Sequence, residues 1–308
     1  MLSKLKIFLL SLLTVICIPS ISHGSKFDMP NKHLVVNGIE IDPSIFPRTV
    51  GLVTSDKKFI FCTGTIISSD LVMTAAHCVA GMQGKKIHII HNCQRLKGCN
   101  NVLAVKRFSI HYGYDKSKNN WDDIALLLLE EQIFLDTEVL ILHPSKYETV
   151  FRDAETIAIV GYGRSSDRGA SGVLRAGLTG ITSLYGKEII LGQHLPEQSN
   201  VCFGDSGSSF YIFHEGKKYA VGVASRLLFK SDEQQCGGGS IYTLDGKYRT
   251  WIEKEYTRML VETLPETNHM KINQGCNFSY YRNFINHIDY IFFIAIAVLF
   301  AIRRKSRL

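Results

Sequence analysis

Short runs of Val, Ile, Thr and Phe, each cut off by Gly, Ser, Asn or Asp, recur through the middle of the chain. Examples fall at residues 59–67, 87–91, 156–160 and 219–224. Runs of that length suit strands that turn back on their neighbours, so the pattern predicts an antiparallel β protein of barrels or sandwiches. One later segment changes period. Over 248–264 the residues Trp251, Ile252, Tyr256, Leu260 and Val261 recur at helical spacing, which predicts a helix with one apolar stripe. No internal repeat is visible.

The two ends read differently from the middle. Lys4 and Lys6 precede an apolar run at 7–18, and Ser22-His23-Gly24 then offers small residues for cleavage, so residues 1–24 read as a signal peptide. The alternative is a buried helix or an anchor, against which Pro19 and the small polar residues after it argue. Residues 25–34 form a polar leader. At the other end, 265–284 reads as a polar linker. Residues 285–302 read as a transmembrane or sorting helix, and 303–308 as a basic cytoplasmic tail, following the positive-inside rule. The uncharged core of that helix, 290–302, would span only about 20 Å against a hydrocarbon thickness of about 30 Å. Extending it back to Phe284 adds the length but includes Asn286, His287 and Asp289. A terminal helix packed on the folded domain is the competing reading. These ends imply a protein exported through the secretory pathway, membrane-anchored or in the cell envelope or extracellular space.

Charge supports the same division. Lys4, Lys6, Arg303, Arg304, Lys305 and Arg307 supply six of the net +7, leaving the body near neutral. A near-neutral body offers no electrostatic footprint for nucleic acid. Of eight cysteines, Cys17 leaves with the signal peptide and seven enter an oxidising compartment. Cys93 and Cys99, six apart in a turn-like segment, suit a local bridge. Cys276 is left over, either free or linking two chains. No C-x-x-C pair, metal-ligand cluster or Gly-rich phosphate loop occurs, so neither metal nor cofactor is expected.

The stretch Cys202-Phe203-Gly204-Asp205-Ser206-Gly207-Ser208 places a serine on a glycine-flanked loop, as a nucleophile requires. Thr74-Ala75-Ala76-His77-Cys78 lies upstream, and Asp122-Asp123-Ile124-Ala125-Leu126-Leu127 lies between the two. In these residues the chain resembles the chymotrypsin/trypsin family of serine proteases, whose order is His, Asp, Ser. The likeness runs over roughly 35–262. It includes Phe46-Pro47-Arg48-Thr49-Val50-Gly51-Leu52, Phe61-Cys62-Thr63-Gly64-Thr65-Ile66-Ile67, His111-Tyr112-Gly113-Tyr114, Gly161-Tyr162-Gly163 and Thr250-Trp251-Ile252.

The resemblance implies two packed six-stranded antiparallel β-barrels with a C-terminal α-helix on the second barrel, in a protease domain at 35–264. It implies a serine endopeptidase acting on polypeptide substrates. Ser206 would be the nucleophile, His77 its base and Asp123 the carboxylate that orients the histidine. Asp123 is preferred to Asp122 because the family's aspartate directly precedes Ile-Ala-Leu. The amides of Gly204 and Ser206 would hold the oxyanion, while Cys62 would pair with Cys78 and Cys202 with Cys236. Asp205 would pair with a new α-ammonium at Val35 when 25–34 is removed, making the chain a zymogen. Leu34 stands where trypsin-like activation needs Lys or Arg. Another activating protease, or self-cleavage by a pocket that accepts leucine, is therefore implied.

Asn200 would form the base of the primary pocket, and Ser225, Arg226 and Leu227 the strand that pairs with substrate. Asn200 carries no charge to neutralise a buried lysine or arginine, so uncharged residues on the acyl side of the cut are expected. A catalytically silent binding module on the same fold is the alternative, although none of the three triad residues is missing. An esterase or lipase is a poorer fit, because G-D-S-G lacks the G-x-S-x-G elbow and the chain order is wrong.

Overall fold

The computed structural model describes residues 38–263 apart from 57–58, 119–120, 136–139, 155 and 194–197. The expected signal peptide, leader, Val35, linker, apolar tail and Cys276 lie outside the described residues. Among the described residues no helix is long and apolar enough to cross a membrane.

Strands dominate, as the alternating turns and β-branched runs predict. Thr49–Thr54, Ile60–Ser68, Leu71–Thr74, Ala125–Leu129, Val102–Ile110 and Ile87–Ile90 pair in that order, and the last returns to the first to close a barrel. Closure removes the exposed edges that open sheets leave. Leu52, Ile66, Val72, Ile89 and Leu126 are fully buried within these strands.

The second half draws on two sheets. One orders Ile39–Glu40, Arg175–Leu178, Thr156–Gly161, Phe210–His214, Lys217–Val221 and Leu140–Ile141. The other orders Ile181–Tyr185, Glu188–Leu191, Ser240–Thr243 and Val223–Leu227. Both face one core, where Ile159, Phe210 and Val221 of the first meet Ile189, Ala224 and Tyr242 of the second. Among the described residues all strand pairings are antiparallel except Leu140–Ile141, which runs parallel to Lys217–Val221.

Two expectations need correction. The run 219–224 is not one strand. Gly222 has φ +67° and breaks it, and its N–H is held by Asp245 Oδ1 at 2.6 Å. The chain thereby leaves one sheet at Val221 and enters the other at Val223. A side chain at 222 would meet Phe210 Cε1 at 3.0 Å and the Thr243 carbonyl at 3.1 Å, so only glycine turns here without strain.

The second correction concerns the helix, which is Arg249–Val261, with Tyr248 in the preceding 3₁₀ turn. At 100° per residue Val261 lies opposite Ile252. Val261 is accordingly exposed, as is Leu260 beside it, whereas Ile252 and Met259, one heptad apart, are buried. The helix contacts the first barrel, where the expectation was the second. Trp251 packs edge-on against His111 at 4.9 Å, and Tyr256 donates to Asp70 Oδ1 at 2.6 Å. His111 follows one first-barrel strand and Asp70 precedes another, which the apolar stripe alone could not reveal. The chain divides into two compact units after Tyr256. In the described part of the second, Arg258 donates to Glu262.

Candidate active site

His77 sits in a single helical turn, Ala76–Val79, immediately after the barrel strand Leu71–Thr74. The Cys62–Cys78 disulfide ties that turn to strand Ile60–Ser68. Asp123 precedes strand Ala125–Leu129 and is fully buried. Three donors converge on its carboxylate. His77 Nδ1 lies 2.7 Å from Oδ2, the His77 backbone N–H reaches Oδ1 at 2.9 Å, and Ser225 Oγ donates to Oδ2 at 2.6 Å. A carboxylate facing Nδ1 holds the ring proton there, which leaves the Nε2 lone pair free to act as a base.

The neighbouring aspartate faces elsewhere. Asp122 has φ +52°, a left-handed conformation that Asp tolerates, so consecutive carboxylates diverge. Its Oδ1 accepts from Lys187 Nζ at 2.8 Å and from Tyr248 OH. Burial works against its ionised form, yet those two donors outweigh it and hold the pKa below the usual carboxylate value.

Ser206 and His77 both line a cavity of about 380 Å³, with Val201, Cys202, Phe203, Ala224, Ser225, Arg226, Leu227 and Phe229. Among the described residues Ser206 Oγ makes no hydrogen bond to the imidazole. The recorded neighbour of Nε2 is Cys78 Sγ at 3.8 Å. Nucleophile and base are often this loose before substrate arrives.

The serine loop is held on every side. The Thr63 N–H donates to the Ser206 carbonyl at 2.8 Å, Gly207 N–H to Ala224 O at 2.8 Å, and Thr63 Oγ1 to Gly204 O at 2.8 Å. The Phe203 carbonyl accepts from Arg164 N–H at 2.9 Å. In a trans peptide the next N–H points the opposite way, so the Gly204 amide is turned away from Arg164. Among the described residues neither Gly204 N–H nor Ser206 N–H has a protein acceptor. The Cys202–Cys236 bridge closes the loop's start, and Cys93–Cys99 forms the local bridge expected from spacing.

Gly207 carries a close approach. A Cβ there would lie 2.2 Å from the Thr63 carbonyl, and φ is +89°. Gly207→Ala should therefore destabilise the fold by about 2–5 kcal/mol, from left-handed strain plus overpacking against backbone that cannot retreat. Urea unfolding measures this; a cost below about 1 kcal/mol would show that the loop yields.

Asp205 is buried beneath the same loop, accepting from Gly163 N–H at 2.7 Å and Cys202 N–H at 2.9 Å. Burial outweighs these donors and the nearby Arg175, pushing its pKa up to about 6. Asn200 is buried but does not line the cavity. Its amide donates to the Gln198 and Gly192 carbonyls at 3.4 and 3.5 Å and accepts from Ser240 Oγ. Arg226 does line the cavity, in a bidentate pair with Glu188 at 2.7 and 2.8 Å. Cys62, Cys78 and His77 offer three ligand-type atoms within 4.8 Å, but the two sulfurs are bonded to each other and provide no thiolate for a metal.

Sequence reasoning did not find the Ser225 hydroxyl as a partner of Asp123, nor Glu188, nor Phe203 and Phe229 on the cavity wall. Ser225 had a place in the substrate strand, but nothing in the sequence indicated where its hydroxyl points. Glu188 lies in no motif.

Residues 35–252 match the family described as Trypsin. The CLIP domain-containing serine protease C9 of Anopheles gambiae is 26% identical over 256 residues, covering 71% of this chain and 67% of that protein. Coagulation factor IX of Cavia porcellus is 26% identical over 235 residues, 70% of this chain and 80% of its own length. Vitamin K-dependent protein C of Mus musculus is 27% identical over 242 residues and 71% of this chain. The chain spans only about half of that last relative, 51%.

Proposed function

The chain belongs to the trypsin family, and from that premise we propose that it is a serine endopeptidase with Ser206, His77 and Asp123 as its triad. The observation that carries this reading is the His77 Nδ1–Asp123 Oδ2 contact of 2.7 Å, beside a cavity that Ser206 shares with the imidazole.

As Ser206 Oγ bonds to the scissile carbonyl carbon, its proton passes to His77 Nε2. The carbonyl oxygen becomes an oxyanion, held by the N–H groups of Gly204 and Ser206. Collapse breaks the C–N bond, and the imidazolium gives its proton to the departing amine. Water then repeats the sequence on the ester, releasing the acid and restoring the hydroxyl. Asp123 stabilises the imidazolium throughout, held in place by Ser225.

The same reading makes the chain a zymogen. Removal of 25–34 would free the Val35 ammonium to pair with Asp205 and shape the oxyanion hole. Leu227 and Phe229 give the cavity an apolar wall, which favours uncharged residues on the acyl side. Leucine is among these, so the enzyme could cut its own Leu34–Val35 bond. Residues 1–24 would direct export and 285–302 would hold the protein to a membrane.

An organophosphonate serine probe tests these statements on the full chain and on Ser206→Ala. The wild-type chain is expected to carry the label at Ser206, to begin at Val35 and to fractionate with membranes. The variant should be unlabelled and retain 25–34. Failure of the wild-type chain to label after cleavage at Val35 would favour the silent binding module. A variant that still begins at Val35 would point to a separate activating protease, and labelled protein free of membranes would remove the anchor.

A further inference from the structure

Three consecutive pairs of residues close a ring beside the cavity. Lys187 Nζ bonds Asp122 Oδ1 at 2.8 Å, Ser225 Oγ bonds Asp123 Oδ2 at 2.6 Å, and Arg226 bonds Glu188 through both terminal nitrogens. Each link joins the neighbour of a residue in the next link. The segment Lys187–Glu188 thus braces both the aspartate loop and the strand Val223–Leu227. Lys187 also lies 5.1 Å from the centre of the Tyr248 ring, whose hydroxyl bonds the same Asp122.

Among the described residues that line the cavity, Arg226 is the one lysine or arginine. Left alone, its guanidinium would grip a carboxylate of the substrate in the two-pronged fashion that its planar fork allows. Both of its terminal nitrogens are already bonded to Glu188. Glu188 is buried, with a side chain 9% exposed against 26% for Arg226, and it neutralises the charge. Arg226 therefore lines the cavity as one half of a neutral pair, beside Leu227 and the exposed ring of Phe229.

We propose that Glu188 is a specificity-determining residue that acts through Arg226. By holding and neutralising the guanidinium, it makes this wall a platform for neutral, apolar or aromatic substrate residues and denies acidic residues an anchor. The inference rests on the protease reading for the identity of the occupant, a peptide on the acyl side of the cut.

The test is peptide binding, read by titration on the full chain carrying Ser206→Ala and Leu34→Arg, the latter so that a trypsin-like activator cuts ahead of Val35. Peptide pairs differ only by Glu or Gln at one of the second to fourth positions before the cut. With Glu188 present, the Glu peptide should gain nothing over the Gln peptide. Glu188→Gln, nearly isosteric, should shift the ratio toward the Glu peptide roughly three- to tenfold, less at high salt. Adding Arg226→Met should erase that shift. Should Glu188→Gln fail to fold, Arg226→Met alone still decides the matter. It leaves the Glu188 charge uncompensated and should move the ratio against the Glu peptide.

Folded variants whose ratios stay at the parent value overturn the proposal. Binding to neither peptide overturns it together with the substrate reading. A Ser206 chain that fails to cut the peptides its Ser206→Ala form binds would overturn the catalytic reading alone.

Discussion

Asp123→Asn is expected to lower kcat by about 10⁴, with little change in KM, while Asp122→Asn one residue away lowers it no more than a few-fold. The first figure is the cost of the same change in the triad on which these roles are defined. What belongs to this chain is the contrast. An amide at 123 presents an N–H to His77 Nδ1, now 2.7 Å from Oδ2, and so forces the ring proton onto Nε2. Nε2 can then no longer accept a proton from Ser206. The amide also disturbs the bond from Ser225. At 122 the carboxylate serves Lys187 and Tyr248, so the loss is of bracing and falls on stability, by about 1–2 kcal/mol. Steady-state kinetics with urea unfolding on both variants separates the effects. If Asp122→Asn proves the more damaging to kcat, the assignment of the acid is wrong.

The legibility of this molecule from sequence follows the range of the interactions involved. Alternating apolar runs report local burial, so the β class could be read directly. Cys93 and Cys99 lie close enough in the chain for spacing alone to suggest their bridge. Motifs around His77, Asp123 and Ser206 carry a family pattern, and with it the pairings of Cys62 and Cys202. Reading faltered where a position answers to something distant. Gly222 sits inside an apparently continuous strand run, and only the second sheet, with Asp245 to receive its N–H, explains the break. Val261 looks like core by composition but is turned half a circle from Ile252, and Met259 takes the buried place. Tyr256 and Trp251 find partners on the first barrel because of how the chain returns, which no period encodes. Glu188 and Arg226, 38 apart in sequence, meet across an intervening strand. Such pairs leave no trace in a single sequence.

Cutting ahead of Val35 should stabilise the chain strongly near pH 7 and hardly at all near pH 4. In the uncut chain burial raises the pKa of Asp205 from the ordinary carboxylate value of 3.8 to about 6. A group whose folded pKa is raised makes its favourable contribution at low pH, below 3.8, and loses it as pH climbs through 6. The buried carboxylate therefore costs the uncut chain roughly 3 kcal/mol at neutral pH. A Val35 ammonium beside it would reverse the sign. The carboxylate would be favoured, its folded pKa would fall, and the stabilisation would be present above the unfolded value and lost on acidification. The two stability curves should thus separate between about pH 4 and pH 6. They should stay apart until the ammonium itself loses its proton, above about pH 8. Because Asp205 shares the loop with Gly204 and Ser206, the same pairing should raise activity by about 10² or more as the oxyanion donors settle. Urea unfolding of the Leu34→Arg, Ser206→Ala chain, before and after cutting, reads the stability. Kinetics of the Leu34→Arg chain read the activity. In Asp205→Asn the side chain has one acceptor oxygen for two N–H donors and no charge to titrate. Both the pH dependence and the gain on cutting should then disappear. An uncut chain equally stable at pH 4 and 7, or a cut Asp205→Asn chain as active as the parent, would show that this buried carboxylate is not what activation acts upon.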